Sequence, residues 1–108
     1  SATGGGSNVN EFSFVFDIKI PVISPWYCFY QTDLTNVNDG EFFINPSGNI
    51  GVGDTYYTQD ALKTNEWYRI GVSVKNGDRY DIYIDGYKSL KGRPGPVDGR
   101  FSFDLSGV

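Results

Sequence analysis

Between Trp67 and Leu90 the chain alternates apolar and polar residues and reverses twice at glycine-bearing turns. Tyr68, Ile70, Val72 and Val74 fall on one side of the first segment, and Trp67, Arg69, Gly71, Ser73 and Lys75 on the other. A period of two puts successive side chains on opposite faces of a pleated strand, whereas a helix would scatter them. Asn76-Gly77-Asp78 is a tight reversal, because Asn-Gly accepts the positive φ of a primed turn. Arg79–Ile84 returns with Tyr80, Ile82 and Ile84 on one face. Asp85-Gly86 reverses the chain again, and Tyr87–Leu90 leaves it.

The rest of the chain reads the same way. Phe12, Phe14, Phe16, Ile18 and Ile20 alternate with Ser13, Val15, Asp17 and Lys19, and Pro21 and Pro25 end that strand. Trp26–Gln31 is a second apolar run, followed by the turn-rich loop Thr32–Gly40. Glu41–Asn45 and Asn49–Val52 flank the short connection Pro46-Ser47-Gly48, and Thr55–Thr58 is a short strand. Gln59–Thr64 is the one place where a helical turn is expected. Gly92–Gly99 is a loop, and Phe101, Phe103 and Leu105 alternate in a last strand. Residues 1–10, small, polar and glycine-rich, read as a flexible tail or linker outside the core, leaving 11–108 as one domain. Short strands at this spacing indicate an all-β chain folded as an antiparallel sandwich.

Composition agrees: 17% of the 108 residues are aromatic, with 8 Phe, 8 Tyr and 2 Trp, and Met and His are absent. The formal charge of −4 excludes nucleic-acid binding, which needs a basic surface to displace counterions. No apolar run approaches the roughly 20 residues of a membrane span. Cys28 is the single cysteine, so it has no intrachain disulfide partner, and it reads as a buried apolar thiol between Tyr27 and Phe29. Without histidine, nucleophilic catalysis lacks its usual base.

The stretch Trp67–Gly92, with a Trp opening a strand, the turn Asn76–Asp78 and Tyr83-Ile84-Asp85-Gly86 closing the next strand, is similar to laminin-G-like domains of the concanavalin A-like lectin/glucanase superfamily, in particular their bacterial jelly-roll type. The strand Glu11–Ile20 matches the same pattern. The resemblance implies a jelly-roll sandwich in which Trp67 is a core residue and Asp85 and Gly86 serve the turn. It also implies one more strand at each end. The chain is therefore expected to be either a shortened sandwich or a piece of a longer domain, with strand pairing supplied by another chain or by the rest of its own domain.

The resemblance directs attention to three kinds of site. The glucanase branch carries paired carboxylates within one strand. Glu11, Glu41 and Glu66, the three glutamates, are far apart and open strands, so no catalytic residue is expected. Lectin-type sandwiches often hold calcium at a rim of loop oxygens. Asp33, Asn38 and Asp39 are the candidates here, with Asn36, Asp54 and Asp60 as further oxygens, although Asp and Asn are also ordinary turn residues. Sugar binding needs aromatic faces at the surface. Trp26, Tyr27 and Tyr30 beside the proline turn, and Tyr56 and Tyr57 after Gly53-Asp54, are the candidates. The expected function is a non-catalytic carbohydrate-binding or adhesion-type accessory module of a secreted or cell-surface protein, with a glycan as partner. The alternatives are a structural or protein-interaction module with an extracellular protein partner, or a fragment of a glycan-active enzyme domain.

Overall fold

A computed structural model describes residues 8–31, 41–52, 56–93 and 103–104, with backbone alone for 8, 41, 56, 91–93 and 103–104. Among the described residues ten strands follow one another: β1 (Asn8–Val9), β2 (Glu11–Lys19), β3 (Tyr27–Gln31), β4 (Glu41–Ile44), β5 (Ile50–Val52), β6 (Tyr56–Tyr57), β7 (Trp67–Lys75), β8 (Arg79–Ile84), β9 (Tyr87–Arg93) and β10 (Phe103–Asp104). They form a four-stranded sheet in the order β2-β7-β8-β9, a second in the order β3-β4-β5-β6, and the pair β1-β10. All pairings are antiparallel. The described residues are all-β, with no helix.

The alternation read from the sequence becomes register. β2 and β7 pair over nine residues, from Glu11↔Lys75 to Lys19↔Trp67. Phe12, Phe14, Phe16 and Ile18 therefore share a face with Tyr68, Ile70, Val72 and Val74. β8 adds Tyr80 and Ile82 to this face, and β9 adds Leu90. The second sheet contributes Phe42, Ile44, Ile50 and Val52, and one apolar cluster draws on both sheets. Burying each of these large apolar side chains stabilises the fold by roughly 1.5–3 kcal/mol, before the entropy of ordering the chain is subtracted.

A bulge joins the layers. Cys28 pairs with Phe43 and Tyr30 with Phe42, so Phe29 is an extra residue in β3. Phe29 lies 5.4 Å from the Phe16 ring and 5.2 Å from Phe42, while Tyr30 stacks on Phe42 at 5.5 Å and meets Phe14 at 4.8 Å. Two consecutive aromatic rings thus reach the same core, which strict alternation forbids.

Several expectations are corrected. Residues 59–64 form no helical turn, because their backbone donors bond to distant segments, the β4–β5 turn and β9. Gln59 N–H donates to Ser89 O, and Leu62 N–H donates to Gly48 O at 2.8 Å. Cys28 is exposed rather than buried, because it precedes the bulge on the outward side of β3. Trp67 is not in the core. It shares the outward parity of Arg69, and 68% of it is exposed. Asn8–Val9, assigned to the tail, pair with Phe103–Asp104, and Asn10 accepts a 2.9 Å bond from the Asn76 amide.

The turns differ in kind. At Asn76-Gly77-Asp78 Gly77 alone has positive φ, and the connection spans three residues between Lys75 and Arg79. The primed two-residue turn lies instead at Asp85-Gly86, where both residues have positive φ (50° and 84°) between the paired Ile84 and Tyr87.

Candidate ligand-binding surfaces

Trp26 follows Pro25 at the entry to β3 and is 58% exposed. Its indole meets the Tyr57 ring of β6 edge-on at 6.1 Å, although the two residues are 31 positions apart in the chain. β3 and β6 are the outer strands of their sheet, so the contact crosses the β4–β5 hairpin that separates them. The edge-to-face geometry suits the ring quadrupoles and holds the indole at the surface. Tyr27 is also exposed, and its hydroxyl donates to Val22 O at 3.0 Å, pinning the proline-bounded segment.

Of the aromatic residues expected to bind sugar, the structure brings Trp26 and Tyr57 together, with Tyr27 beside Trp26 in sequence. Tyr30 turns inward, and burial pushes its hydroxyl pKa well above the ordinary tyrosine value. The Tyr56 side chain lies outside the described residues, as do Asp33, Asn36, Asn38, Asp39 and Asp54. Asp60 is described: its Oδ2 accepts a 2.6 Å bond from Ser89 Oγ, and Thr58 Oγ1 donates to its carbonyl at 2.7 Å. Among the described residues, no three acidic or cysteine side chains gather in a metal-holding arrangement.

A second surface lies on the outward face of β2 and β7, and sequence reasoning missed it. Asp17 and Arg69 are directly cross-strand. The guanidinium grips the carboxylate through two parallel bonds, Nε to Oδ1 at 2.8 Å and Nη2 to Oδ2 at 3.0 Å. The hydrogen bond from Arg69, and then its charge, hold the Asp17 pKa below the ordinary 3.8 despite some desolvation. The same pair raises Arg69. Asp85 locks the other side: its Oδ1 accepts the Arg69 backbone N–H at 2.8 Å, and its own N–H donates to Arg69 O at 2.8 Å. Asp17, Trp67, Tyr68, Arg69 and Asp85 line an open cleft of about 620 Å³. A smaller depression of about 360 Å³, lined by Asp60, Ile84, Asp85 and the 81% exposed Tyr87, shares Asp85 with it.

The signal for Trp67 was present in its own strand. A residue in phase with Arg69 and Lys75, and out of phase with Ile70 and Val72, faces away from the core. Farther along the same face, Asp81 has outward parity yet is buried, because Arg79 (2.8 Å) and Lys88 (3.9 Å) close over it. The Lys88 ammonium also lies 5.4 Å from the Tyr83 ring centroid.

No family model matches the chain, and no curated protein or solved structure matches it.

Proposed function

We propose that this domain is a non-catalytic carbohydrate-binding or adhesion-type module of a secreted or cell-surface protein, built as a jelly-roll sandwich of the laminin-G-like kind. The observation that carries the proposal is the solvent-exposed Trp26 held edge-on by Tyr57. An aromatic face fixed at the surface gains energy by covering the C–H side of a pyranose ring, and it loses little side-chain freedom in doing so. Tyr27, exposed and next to Trp26 in the chain, borders the surface. Calcium at Asp33, Asn38 and Asp39 belongs to the same proposal as a rim ion.

Among the described residues, three carboxylates support binding rather than hydrolysis. Glu11 lies 3.9 Å from Lys75, and Glu66 Oε2 accepts a 2.9 Å hydrogen bond from the Tyr68 hydroxyl. Asp17 is held ionised by Arg69, whereas a general acid needs a raised pKa. The experiment is a glycan array read with the wild-type protein and with Trp26→Ala and Tyr57→Ala. Binding to a glycan that both variants lose supports the proposal. Wild-type binding that both variants retain refutes the Trp26–Tyr57 site, and failure to bind any glycan favours a structural or protein-interaction module.

A further inference from the structure

We infer that the Trp67 cleft is a ligand site of its own, taking a neutral polyhydroxylated ring such as one saccharide unit. This extends the saccharide reading to a surface separate from the Trp26–Tyr57 pair. Three features of the cleft point this way.

The first is the indole. A tryptophan 68% exposed beside a concave surface leaves a large apolar face in water, and covering it is favourable. The cleft volume of about 620 Å³ falls within the roughly 300–1,000 Å³ typical of small-molecule sites.

The second is the polar row next to the indole. Asp17 spends one lone pair of each oxygen on Arg69, which leaves further acceptor capacity on both. Arg69 donates to Asp17 through Nε and Nη2, so its Nη1 donors are not part of that fork. Asp85 uses Oδ1 for the Arg69 backbone, leaving Oδ2. Acceptors and donors therefore alternate within one fixed unit. That matches adjacent hydroxyl groups, each of which donates to a carboxylate and accepts from a guanidinium. Because the fork and the Asp85 clamp already exist without ligand, binding orders few side chains.

The third is charge. Among the residues that line the cleft, Asp17 and Asp85 carry two negative charges and Arg69 one positive, while Lys19 is the cross-strand partner of Trp67. One excess negative charge repels a phosphate or a polyanion, and with Arg69 in the lining and Lys19 on the paired strand it gives little attraction to a cationic peptide, so the preferred ligand is uncharged.

The two tryptophans make the test site-specific. In an ¹⁵N-labelled sample each contributes one indole N–H signal, assigned with Trp26→Phe and Trp67→Phe. The protein is titrated with cellohexaose, xylohexaose and mannohexaose, and with oligogalacturonate as an anionic counterpart. The expected result is a saturable shift of the Trp67 signal with at least one neutral oligosaccharide. Asp17→Asn should weaken that binding by about tenfold or more with the spectrum otherwise intact, as expected for loss of a charge-assisted bond. Trp67→Ala, at an exposed position, serves as a second variant that keeps the fold. A Trp67 signal unmoved by every neutral oligosaccharide at millimolar concentration overturns the inference, as does a shift produced by oligogalacturonate alone. A shift confined to Trp26 supports the edge pair and overturns the cleft. A shift confined to Trp67 does the reverse.

Discussion

Replacing Gly48 by alanine should be far more damaging than the same change at Gly86, although both glycines sit in turns with nearly equal positive φ, 89° and 84°. The left-handed conformation alone costs an L-residue about 1–2 kcal/mol at either position. At Gly86 a Cβ would meet nothing within 4 Å, so about 1–2 kcal/mol is the whole expected effect. At Gly48 the Cβ would lie 2.6 Å from Leu62 O, a backbone atom, with Ala61 Cβ and Leu62 N both at 3.4 Å. Leu62 cannot simply withdraw, because its N–H donates to Gly48 O at 2.8 Å and its side chain is in the core. Making room therefore stretches a hydrogen bond worth about 1 kcal/mol and shifts packed backbone, bringing the expected cost to about 3–5 kcal/mol. Urea unfolding of both variants measures this, with an unchanged m value confirming that stability alone has moved. If the two variants differ by less than about 1 kcal/mol, the connection carrying Leu62 yields freely and the close-approach argument fails.

The core and surface aromatics should separate in the same assay. Phe42→Ala removes a fully buried ring in contact with Phe16, Phe29 and Tyr30 and should cost about 3–5 kcal/mol, whereas Trp67→Ala should cost under about 1 kcal/mol. Cys28, being exposed, should react fully with a thiol reagent such as DTNB in the native protein, at a rate close to that in urea; protection in the native state would place the thiol inside the fold. Asp17 has a lowered folded-state pKa, so its ion pair with Arg69 contributes above the unfolded value near 3.8 and is lost as pH falls through the lower folded value. The melting-temperature gap between wild type and Asp17→Asn should therefore hold steady at neutral pH and close on acidification below about pH 4. A gap independent of pH would show that the carboxylate charge is not what the pair uses.

How much was legible in advance depended on whether the information was local. Phe12, Phe16, Ile70, Val72, Tyr80 and Ile82 take the face their alternation assigns, because a period of two leaves a strand no other way to bury its apolar side. Gly48 and Asp85-Gly86 turn where expected, because positive φ is a local property of residue type. The surfaces were read less well. Trp26 was singled out from its own neighbourhood, but nothing local to it could name Tyr57 as the residue that braces it. Trp67 faces outward as its parity requires, against the core place that the resemblance implies.

Tertiary structure decided what depends on pairing between distant segments. The bulge at Phe29, which sends two successive rings into the core, arises from the fit of β3 to β4. Residues 59–64 follow an irregular path, because donors that a helix would keep for itself are taken by Gly48 and Ser89. The cleft exists because β2 and β7 register places Asp17 opposite Arg69, and the β8–β9 turn then brings Asp85 to the same residue. By itself the sequence determined that this chain forms strands, where most of them reverse and which face of each is apolar. Which polar and aromatic groups meet on the outside was left to register, since a contact between residues 17, 69 and 85 has no signature in any one stretch of chain.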